Sequence, residues 1–253
     1  MTAVKRLKPV FKCTDEEKAR FLSSTCLLTI SVGQEVHEGE HFETTIELVN
    51  RSFGACILLI DDTLQRHTMT LASDNDAGYF YARSLEAGKQ WLERNIWHYA
   101  QLSNLKQIIH WNHWLKHPQF EMKKAKIKAL IGFDTDFGDA FSSTIDAFLH
   151  RYHRRVQDQP TFNIERARQL CLDYLVEECT AMCLWPEMDC HFEVYPSRRN
   201  RAMAETHRRF VLPNYPDLLH PVAIKFKHRK QWQPQQCAQQ PSDTVVDEKD
   251  AYS

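Results

Sequence analysis

A serine at the end of an aliphatic run is the first side chain in this sequence that could do chemistry. The run covers residues 26–34, and its apolar composition predicts a strand buried on both faces of a sheet. Ser31 comes where the run ends, just before Gly33, which permits a tight turn. Ligands bind at the carboxyl ends of strands in open α/β sheets, so Ser31 is a candidate nucleophile by position. The alternative is a serine whose side-chain oxygen caps the next segment.

A tyrosine and a glutamate form a second candidate pair. Tyr174 and Glu178 are four residues apart on a helix that we predict over residues 164–185, so they share one helical face. Much of this helix is apolar, and a carboxylate in such surroundings must be paired, solvated or used. The adjacent Glu177 points in another direction. The alternative is that Glu178 pairs with an arginine or lysine and fixes the helix.

The cysteines do not predict a metal site. Eight cysteines include no C-x-x-C pair, and Cys179 and Cys183, with Cys190 and His191 nearby, lack the spacing of a zinc knuckle. Several cysteines lie in apolar runs, where this residue packs as a small hydrophobic side chain. We therefore expect reduced thiols in a cytoplasmic protein, and neither a metal nor another cofactor.

Composition excludes several classes of function. The 253 residues suit one large domain, and 32 basic against 33 acidic residues give a net charge of −1. Without global basicity, a nucleic-acid partner must bind a local basic patch. No apolar run approaches the roughly 20 residues of a bilayer span, so we expect no membrane partner. The sequence has neither G-x-G-x-x-G nor G-x-x-x-x-G-K-[ST] and only seven glycines, so we expect no ATP site.

The elements that must position Ser31 and Glu178 follow an alternating order. A helix over residues 37–50 separates the first strand from a second aliphatic strand over 55–60, and this order predicts parallel neighbours joined by a right-handed crossover. Further helices are predicted over 14–21, 74–102 and 137–152, and further strands over 191–195 and 221–226, while residues 105–109 are a short apolar run. We predict a single α/β domain over residues 13–232, a parallel sheet with helices on both faces. A loose basic arm over 1–12 precedes it and a disordered tail over 233–253 follows it.

Three basic segments could bind a polyanion. One contains Lys123, Lys124, Lys126 and Lys128, and the long helix over 74–102 presents Arg83, Lys89 and Arg94. A third has five arginines between residues 198 and 209. The alternative for each is an ordinary solvated face, because lysine and arginine are mostly exposed in proteins.

Four pieces of the sequence, taken in order over about residues 30–230, resemble the tRNA-dependent cyclodipeptide synthases. The pieces are Ile30-Ser31-Val32-Gly33-Gln34, Leu59-Ile60-Asp61, Tyr174-x-x-x-Glu178 and Tyr195-Pro196. Gln34 and Pro196 are similar to the branch of this family that has a variable residue three positions after the serine and Tyr-Pro at the last motif. The resemblance implies a Rossmann-like domain related to the catalytic domains of class I tyrosyl- and tryptophanyl-tRNA synthetases.

The resemblance also implies a reaction. Two aminoacyl-tRNAs give a cyclic dipeptide, a diketopiperazine, through an aminoacyl-serine and then a dipeptidyl-serine on Ser31. Aminoacyl esters are already activated, so this reaction needs no ATP. Tyr174 and Glu178 would bind the α-ammonium group, and Tyr195 would hold the departing group and relay protons. The residues expected to bind substrate are Thr29, Val32, Gly33, Gln34, Leu58, Glu193 and Pro196. The residues expected to bind tRNA are Arg83, Lys89, Arg94, Lys123, Lys124, Lys126 and Lys128. We also expect the protein to be a monomer.

Two departures from the family pattern concern the first amino-acid pocket and the tRNA-binding surface, and two other classes of function stay open. Thr29 stands where the family often has glycine, and the long helix has fewer basic residues than that of well-known members. One alternative is a serine hydrolase of small esters, although G-x-S-x-G is absent because Thr29 occupies its first position. The other is a non-catalytic tRNA-binding domain related to a synthetase.

Overall fold

The computed structural model describes residues 7–72, 76–155 and 163–228, and a six-stranded sheet organises them. The strands lie in the order β1-β6-β5-β2-β3-β4. Strands β2 to β6 run parallel to one another, whereas β1 pairs antiparallel with β6. The strands are β1 (Leu7–Lys12), β2 (Thr25–Ser31), β3 (Ala55–Asp61), β4 (Leu105–His110), β5 (Phe192–Tyr195) and β6 (His220–His228).

Helices cover both faces of this sheet. They are α1 (Asp15–Arg20), α2 (Gly39–Ser52), α3 (Arg66–Met69), α4 (Ala77–Tyr99), α5 (Asn112–Leu115), α6 (Phe120–Phe133), α7 (Thr135–Arg155), α8 (Ile164–Met182) and α9 (Arg201–Thr206). Helices α2 and α4 pack on one face, and α6, α7, α8 and α9 pack on the other. The prediction of an α/β, Rossmann-like sheet with helices on both faces is confirmed, with one antiparallel edge pair in an otherwise parallel sheet.

The central strands β2 and β3 are aliphatic because both of their faces are covered. Alternate side chains point to opposite faces, so Leu27 and Leu59 pack beneath α6 to α8, while Leu28 and Leu58 pack beneath α2 and α4. The two strands end at the same edge of the sheet. Among the described helices, none combines the length and the apolar composition that a bilayer span requires.

The expected loose arm over residues 1–12 is wrong for residues 7–12, which form the edge strand β1. Leu7 and Pro9 point inward, and the strand pairs with β6 along its whole length. Proline is tolerated here because β1 is an edge strand, where a missing backbone donor costs little. Residues 1–6 and the predicted disordered tail over 233–253 lie outside the described residues.

Candidate active site

A cavity of about 1020 Å³ opens at the carboxyl edge of the sheet, next to the ends of β2, β3 and β5. The four residues predicted to be catalytic all line it: Ser31 from β2, Tyr174 and Glu178 from α8, and Tyr195 from β5. These residues are separated by up to 164 positions in the sequence, yet the parallel strands bring them to one place. Asp61, at the end of β3, also lines this cavity.

The Ser31 hydroxyl has a phenol as its partner. Ser31 Oγ lies 3.1 Å from the Tyr195 hydroxyl, and the serine side chain is buried. Burial raises the pKa of Tyr195 to about 12, against the opposing effect of the Ser31 hydrogen bond and with the help of nearby carboxyl groups. The phenol therefore keeps its proton at neutral pH and can donate it to a serine oxygen or to a leaving group.

A buried histidine that sequence reasoning missed holds the backbone of the serine. The Ser31 N–H donates to His37 Nδ1 over 3.0 Å, and the Trp91 indole N–H donates to the His37 carbonyl over 3.0 Å. Burial lowers the pKa of His37 to about 4, so the ring is neutral and Nδ1 can accept. Among the described side chains, Tyr195 and not a histidine is the hydrogen-bond partner of Ser31 Oγ, which disfavours a hydrolase triad.

Glu178 faces the cavity without a cationic partner among the residues that the structure describes. Burial and, to a lesser extent, repulsion from Glu193 raise its pKa to about 8, while a hydrogen bond with Asn200 acts in the opposite direction. Glu178 Oε2 is inaccessible to water and lacks a hydrogen-bond partner within the described ranges. Glu193 differs, because Arg199 Nε donates to its Oε2 over 2.6 Å. The Glu178 carboxyl group, which is buried and has no cationic partner among the described residues, is therefore suited to bind a cation.

Tyr174 lies one helical turn before Glu178 on the same wall of the cavity. Burial raises the pKa of its phenol well above the usual value, and the carboxyl groups of Glu178 and Asp61 add to this rise. The phenol is therefore a hydrogen-bond donor at neutral pH. Together, Tyr174 and Glu178 offer a neutral hydroxyl group and a carboxyl group, which suit an ammonium ion.

Glu177 points away from the cavity, as the sequence predicted, and ties α8 to α3. Its carboxylate accepts hydrogen bonds from Arg66 over 2.7 and 2.5 Å and from the Trp111 indole over 2.9 Å, and His67 Nε2 lies 3.2 Å away. Burial alone would raise the pKa of Glu177, but His67 and Arg66 lower it to about 2. This buried ion pair fixes the orientation of the helix that carries Glu178.

The residues expected to bind substrate divide into two groups. Thr29, Gln34 and Glu193 line the cavity. Val32 and Leu58 instead pack in the hydrophobic cluster beneath α2 and α4. The expectation that Leu58 contacts substrate is therefore wrong, because the side chain points to the opposite face of β3.

Two further predicted residues flank the site and do not line the cavity. Gly33 has a φ of +85°, which turns the chain directly after Ser31 and favours glycine. Pro196 follows Tyr195 where β5 ends. Both residues therefore shape the backbone next to a site hydroxyl group and supply no side chain to the cavity.

The residues expected to bind tRNA lie outside the cavity, on opposite faces of the sheet. Arg83, Lys89 and Arg94 are on α4, where Arg94 pairs with Glu38 over 2.8 Å. Lys123, Lys124, Lys126 and Lys128 are on α6. Lys12 and Arg151, which the sequence did not single out, line the cavity itself, as do Arg198 and Arg199 from the predicted arginine-rich segment. Within the described part of the chain, no group of histidine, cysteine, aspartate and glutamate side chains could hold a metal ion.

Comparison with solved structures gives the family. A CDPS, or cyclodipeptide synthase, from Fluoribacter dumoffii is 40% identical, with a TM-score of 0.83, and the match covers 87% of this chain and 99% of that chain. A cyclodipeptide synthase from Candidatus Glomeribacter gigasporarum bound to Phe-tRNA is 14% identical, with a TM-score of 0.68 and coverages of 86% and 93%. That likeness shows the fold alone.

A Mycobacterium tuberculosis protein also shares the fold. It is 10% identical, with a TM-score of 0.54 and coverages of 88% and 94%, and its structure demonstrated that cyclodipeptide synthetases are related to type I tRNA synthetases. No protein-family model and no curated protein matches the chain. This chain belongs to the cyclodipeptide synthases, which are tRNA-dependent aminoacyltransferases.

Proposed function

We propose that this protein makes a cyclic dipeptide from two aminoacyl-tRNAs by ping-pong acyl transfer through Ser31. The observation that carries the proposal is the contact of Ser31 Oγ with the Tyr195 hydroxyl, 3.1 Å apart, in a cavity that Tyr174 and Glu178 also line. A buried serine, a phenol that keeps its proton and a carboxyl group without a cation are the groups that transfer of an aminoacyl ester requires.

In the loading step, Ser31 Oγ attacks the ester carbonyl of the first aminoacyl-tRNA. The new bond joins Oγ to the acyl carbon, the bond from that carbon to the ribose oxygen breaks, and the serine proton finally resides on the ribose oxygen. Backbone N–H groups at Val32 and Gly33 stabilise the oxyanion of the tetrahedral intermediate. The first tRNA then leaves an aminoacyl-serine behind.

In the second step, the chain grows on the serine. The α-ammonium group of the aminoacyl-serine gives one proton to the Glu178 carboxylate, and the free amine attacks the ester carbonyl of the second aminoacyl-tRNA. The bond from that carbon to the ribose oxygen breaks, the proton lost by the attacking nitrogen resides on the ribose oxygen of the departing tRNA, and a dipeptidyl group now occupies Ser31. Glu178 and Tyr174 hold the α-ammonium group between these steps. No ATP is consumed, because each ester bond that breaks supplies the energy for the bond that forms.

In the last step, the N-terminal amine of the dipeptide attacks the ester carbonyl on Ser31. A second amide bond closes the six-membered ring, and the bond to Oγ breaks. The Tyr195 phenol lies against Oγ, so it donates a proton to the departing serine oxygen and regains one from the attacking amine. Catalytic roles for Ser31, Tyr174, Glu178 and Tyr195 are thus part of the proposal, as is a monomer with one site.

The test is the purified protein with a full mixture of charged tRNAs, followed by mass spectrometry for diketopiperazines. We expect a cyclic dipeptide and uncharged tRNA in a ratio of one to two. Release of free amino acids without a cyclic product would indicate a hydrolase, and binding of tRNA without deacylation would indicate a non-catalytic domain. Uncharged tRNA serves as the control and should give no product.

Binding of tRNA should depend on the lysines of α6 more than on the basic residues of α4. Helix α6 is on the same side of the sheet as α7 and α8, which line the cavity, whereas Arg94 on α4 already pairs with Glu38. Reversing the charges of Lys123, Lys124, Lys126 and Lys128 should weaken binding. It should also lower the salt slope by roughly one for each phosphate group that the protein no longer binds.

Binding is measured by fluorescence anisotropy at several salt concentrations. The comparison variant reverses Arg83, Lys89 and Arg94, and the control Lys18→Glu changes an exposed lysine on α1. A larger effect of the α4 variant than of the α6 variant would make α4 the tRNA surface.

The first amino acid loaded should be small, such as alanine or glycine. Thr29 is buried in the cavity wall two residues before Ser31, so its methyl and hydroxyl groups occupy space beside the acylated oxygen. Leucine should load at least about 10-fold more slowly than alanine, the discrimination that a few methylenes give in a tight pocket. Intact-protein mass after incubation with each charged tRNA gives the rate, and Thr29→Gly should improve loading of leucine. Efficient loading of leucine or phenylalanine by the wild type would contradict this.

A further inference from the structure

We propose that Asp61 is a further catalytic residue, the base that takes the Ser31 proton when the first ester is attacked. This inference rests on the proposed function. Ser31 and Asp61 are the final residues of β2 and β3, and they are directly opposite in the parallel register of these strands. Both side chains point to the cavity face, and both line the cavity. No other carboxyl group is opposite Ser31 in the sheet register among the described strands.

The fold satisfies the Asp61 carboxyl group only in part. Its side chain is 5% exposed, and Oδ1 has no hydrogen-bond partner within the part of the chain that the structure describes. The neighbouring Asp62 is the opposite case, since it binds His110 over 2.7 Å and the Thr63 N–H over 2.6 Å. A buried polar atom without a partner costs free energy, so a carboxyl group kept beside a nucleophile points to a chemical role.

His37 and Tyr195, which both form hydrogen bonds with Ser31, cannot act as the base. His37 uses Nδ1 to accept the backbone N–H of Ser31. The Tyr195 phenol keeps its proton at neutral pH and so acts as a donor. Asp61 is the remaining ionisable group at the end of a neighbouring strand, and the Ser31 hydroxyl favours its charged form by hydrogen bonding.

The charge of the substrate makes this base available when it is needed. Burial raises the pKa of Asp61 well above its usual range, and repulsion from Glu178, Asp62 and Glu193 raises it further. An aminoacyl group that enters the cavity brings an α-ammonium ion, which favours ionisation of the carboxyl groups around it. Asp61 then releases its proton to water in the open cavity and becomes a strong acceptor beside Oγ.

The step is balanced within the site. As Oγ bonds to the acyl carbon, its proton moves to an Asp61 oxygen. As the bond from that carbon to the ribose oxygen breaks, the same proton moves from Asp61 to the ribose oxygen of the departing tRNA. Asp61 ends the step as the carboxylate from which it began, next to the ammonium group of the aminoacyl-serine.

The test measures acylation alone, by rapid quench of the enzyme with one charged tRNA and intact-protein mass spectrometry. Asp61→Asn, which keeps the size of the side chain, should slow acylation by about 100-fold or more, the usual contribution of a general base. The same change is then made in a Ser31→Cys background. A thiol ionises without strong help, so there the loss should be less than about 10-fold. An equal loss in both backgrounds would mean that Asp61 only positions the nucleophile, and would overturn the proposal.

A second variant keeps the test valid if Asp61→Asn does not fold. Asp61→Ala leaves a space in the cavity wall, and added formate should restore acylation at least about 10-fold, whereas chloride at the same concentration should not. Restoration by neither ion, with a folded variant, would overturn the role of Asp61. The wild type separates the two proposals: if it forms no adduct on Ser31, the proposed function fails, whatever the Asp61 variants do.

Discussion

Ser31→Ala is expected to abolish both the acyl-enzyme and the cyclic dipeptide. Every step of the proposed reaction depends on an acyl group that Oγ carries, and alanine has no atom in that place. Loss of the nucleophile in serine enzymes costs on the order of 10⁶-fold in rate, which puts the product below detection. The fold should remain, because the change removes only hydrogen bonds of the serine hydroxyl, such as the one to Tyr195, each worth about 1 kcal/mol.

Intact-protein mass spectrometry with charged tRNA measures this directly. The wild type should gain the mass of one aminoacyl group, and Ser31→Ala should gain none. Ser197→Ala is the matched control, because Ser197 also lines the cavity and should leave the adduct unchanged. An aminoacyl adduct on Ser31→Ala would remove Ser31 from the mechanism.

Glu178 variants should lose activity in proportion to what they remove from the ammonium site. Glu178→Gln keeps the size and the hydrogen-bonding capacity and loses the charge, so the cost should be a charge-assisted contact of roughly 1.5 to 3 kcal/mol, or about 10- to 150-fold in rate. Glu178→Ala should cost more, because the ammonium group also loses its position. Neither change should weaken tRNA binding much, since the phosphates lie outside the pocket.

The pH dependence of the protein's stability gives a second test of Glu178, and the pKa of this residue determines the direction of the expected change. The pKa of Glu178 is raised to about 8 in the folded state, from an ordinary value of 4.5. Between these two values the folded protein holds a proton that the unfolded chain releases, so this group lowers stability as pH rises from about 4.5 to 8. Glu178→Gln should therefore raise the melting temperature at about pH 8 and change it little at about pH 4.5.

The neighbouring glutamate supplies the control for this stability effect. Glu177→Gln should lower the melting temperature at neutral pH, because removing one partner of a buried ion pair is strongly destabilising. Two results together would make Glu178 a structural residue. Glu178→Gln would also lower the melting temperature at about pH 8, and the amount of acyl-enzyme per folded molecule would stay near that of the wild type.

The sequence predicted the centre of the fold better than its edges, for a physical reason. Strands β2 and β3 are buried on both faces, so their composition alone marks them as strands. Strand β1 contains two lysines and a proline and is stabilised by pairing with β6, at the other end of the described chain, which no local pattern reveals. The short helix α9 was also missed, although most of its residues are good helix formers, because six residues are too few to show a helical period of apolar positions.

In the candidate site, too, the sequence predicted some residues and missed or misplaced others. Ser31 and Tyr195 are the last residues of their strands. The carboxyl ends of parallel strands lie at the same edge of a sheet, so the sequence could predict that these two residues are close together. His37 could not be recognised, because its role depends on a hydrogen bond to the serine backbone in the folded turn. Leu58 was misplaced because a strand buried on both faces has no polar alternation to tell which side chains face a ligand.

The adjacent glutamates of α8 have a consequence for comparison with distant relatives. An alignment shifted by one residue in this helix would pair Glu177, whose carboxylate the fold requires, with the relative's counterpart of Glu178, which faces the cavity. Both residues are glutamates, so the aligned sequences would still show a match. The three-dimensional neighbours remove the ambiguity: Glu177 has Arg66 and Trp111, whereas Glu178 has a tyrosine one turn earlier. Homologues should therefore be aligned at Tyr174, which allows only one of the two glutamates to occupy the cavity position.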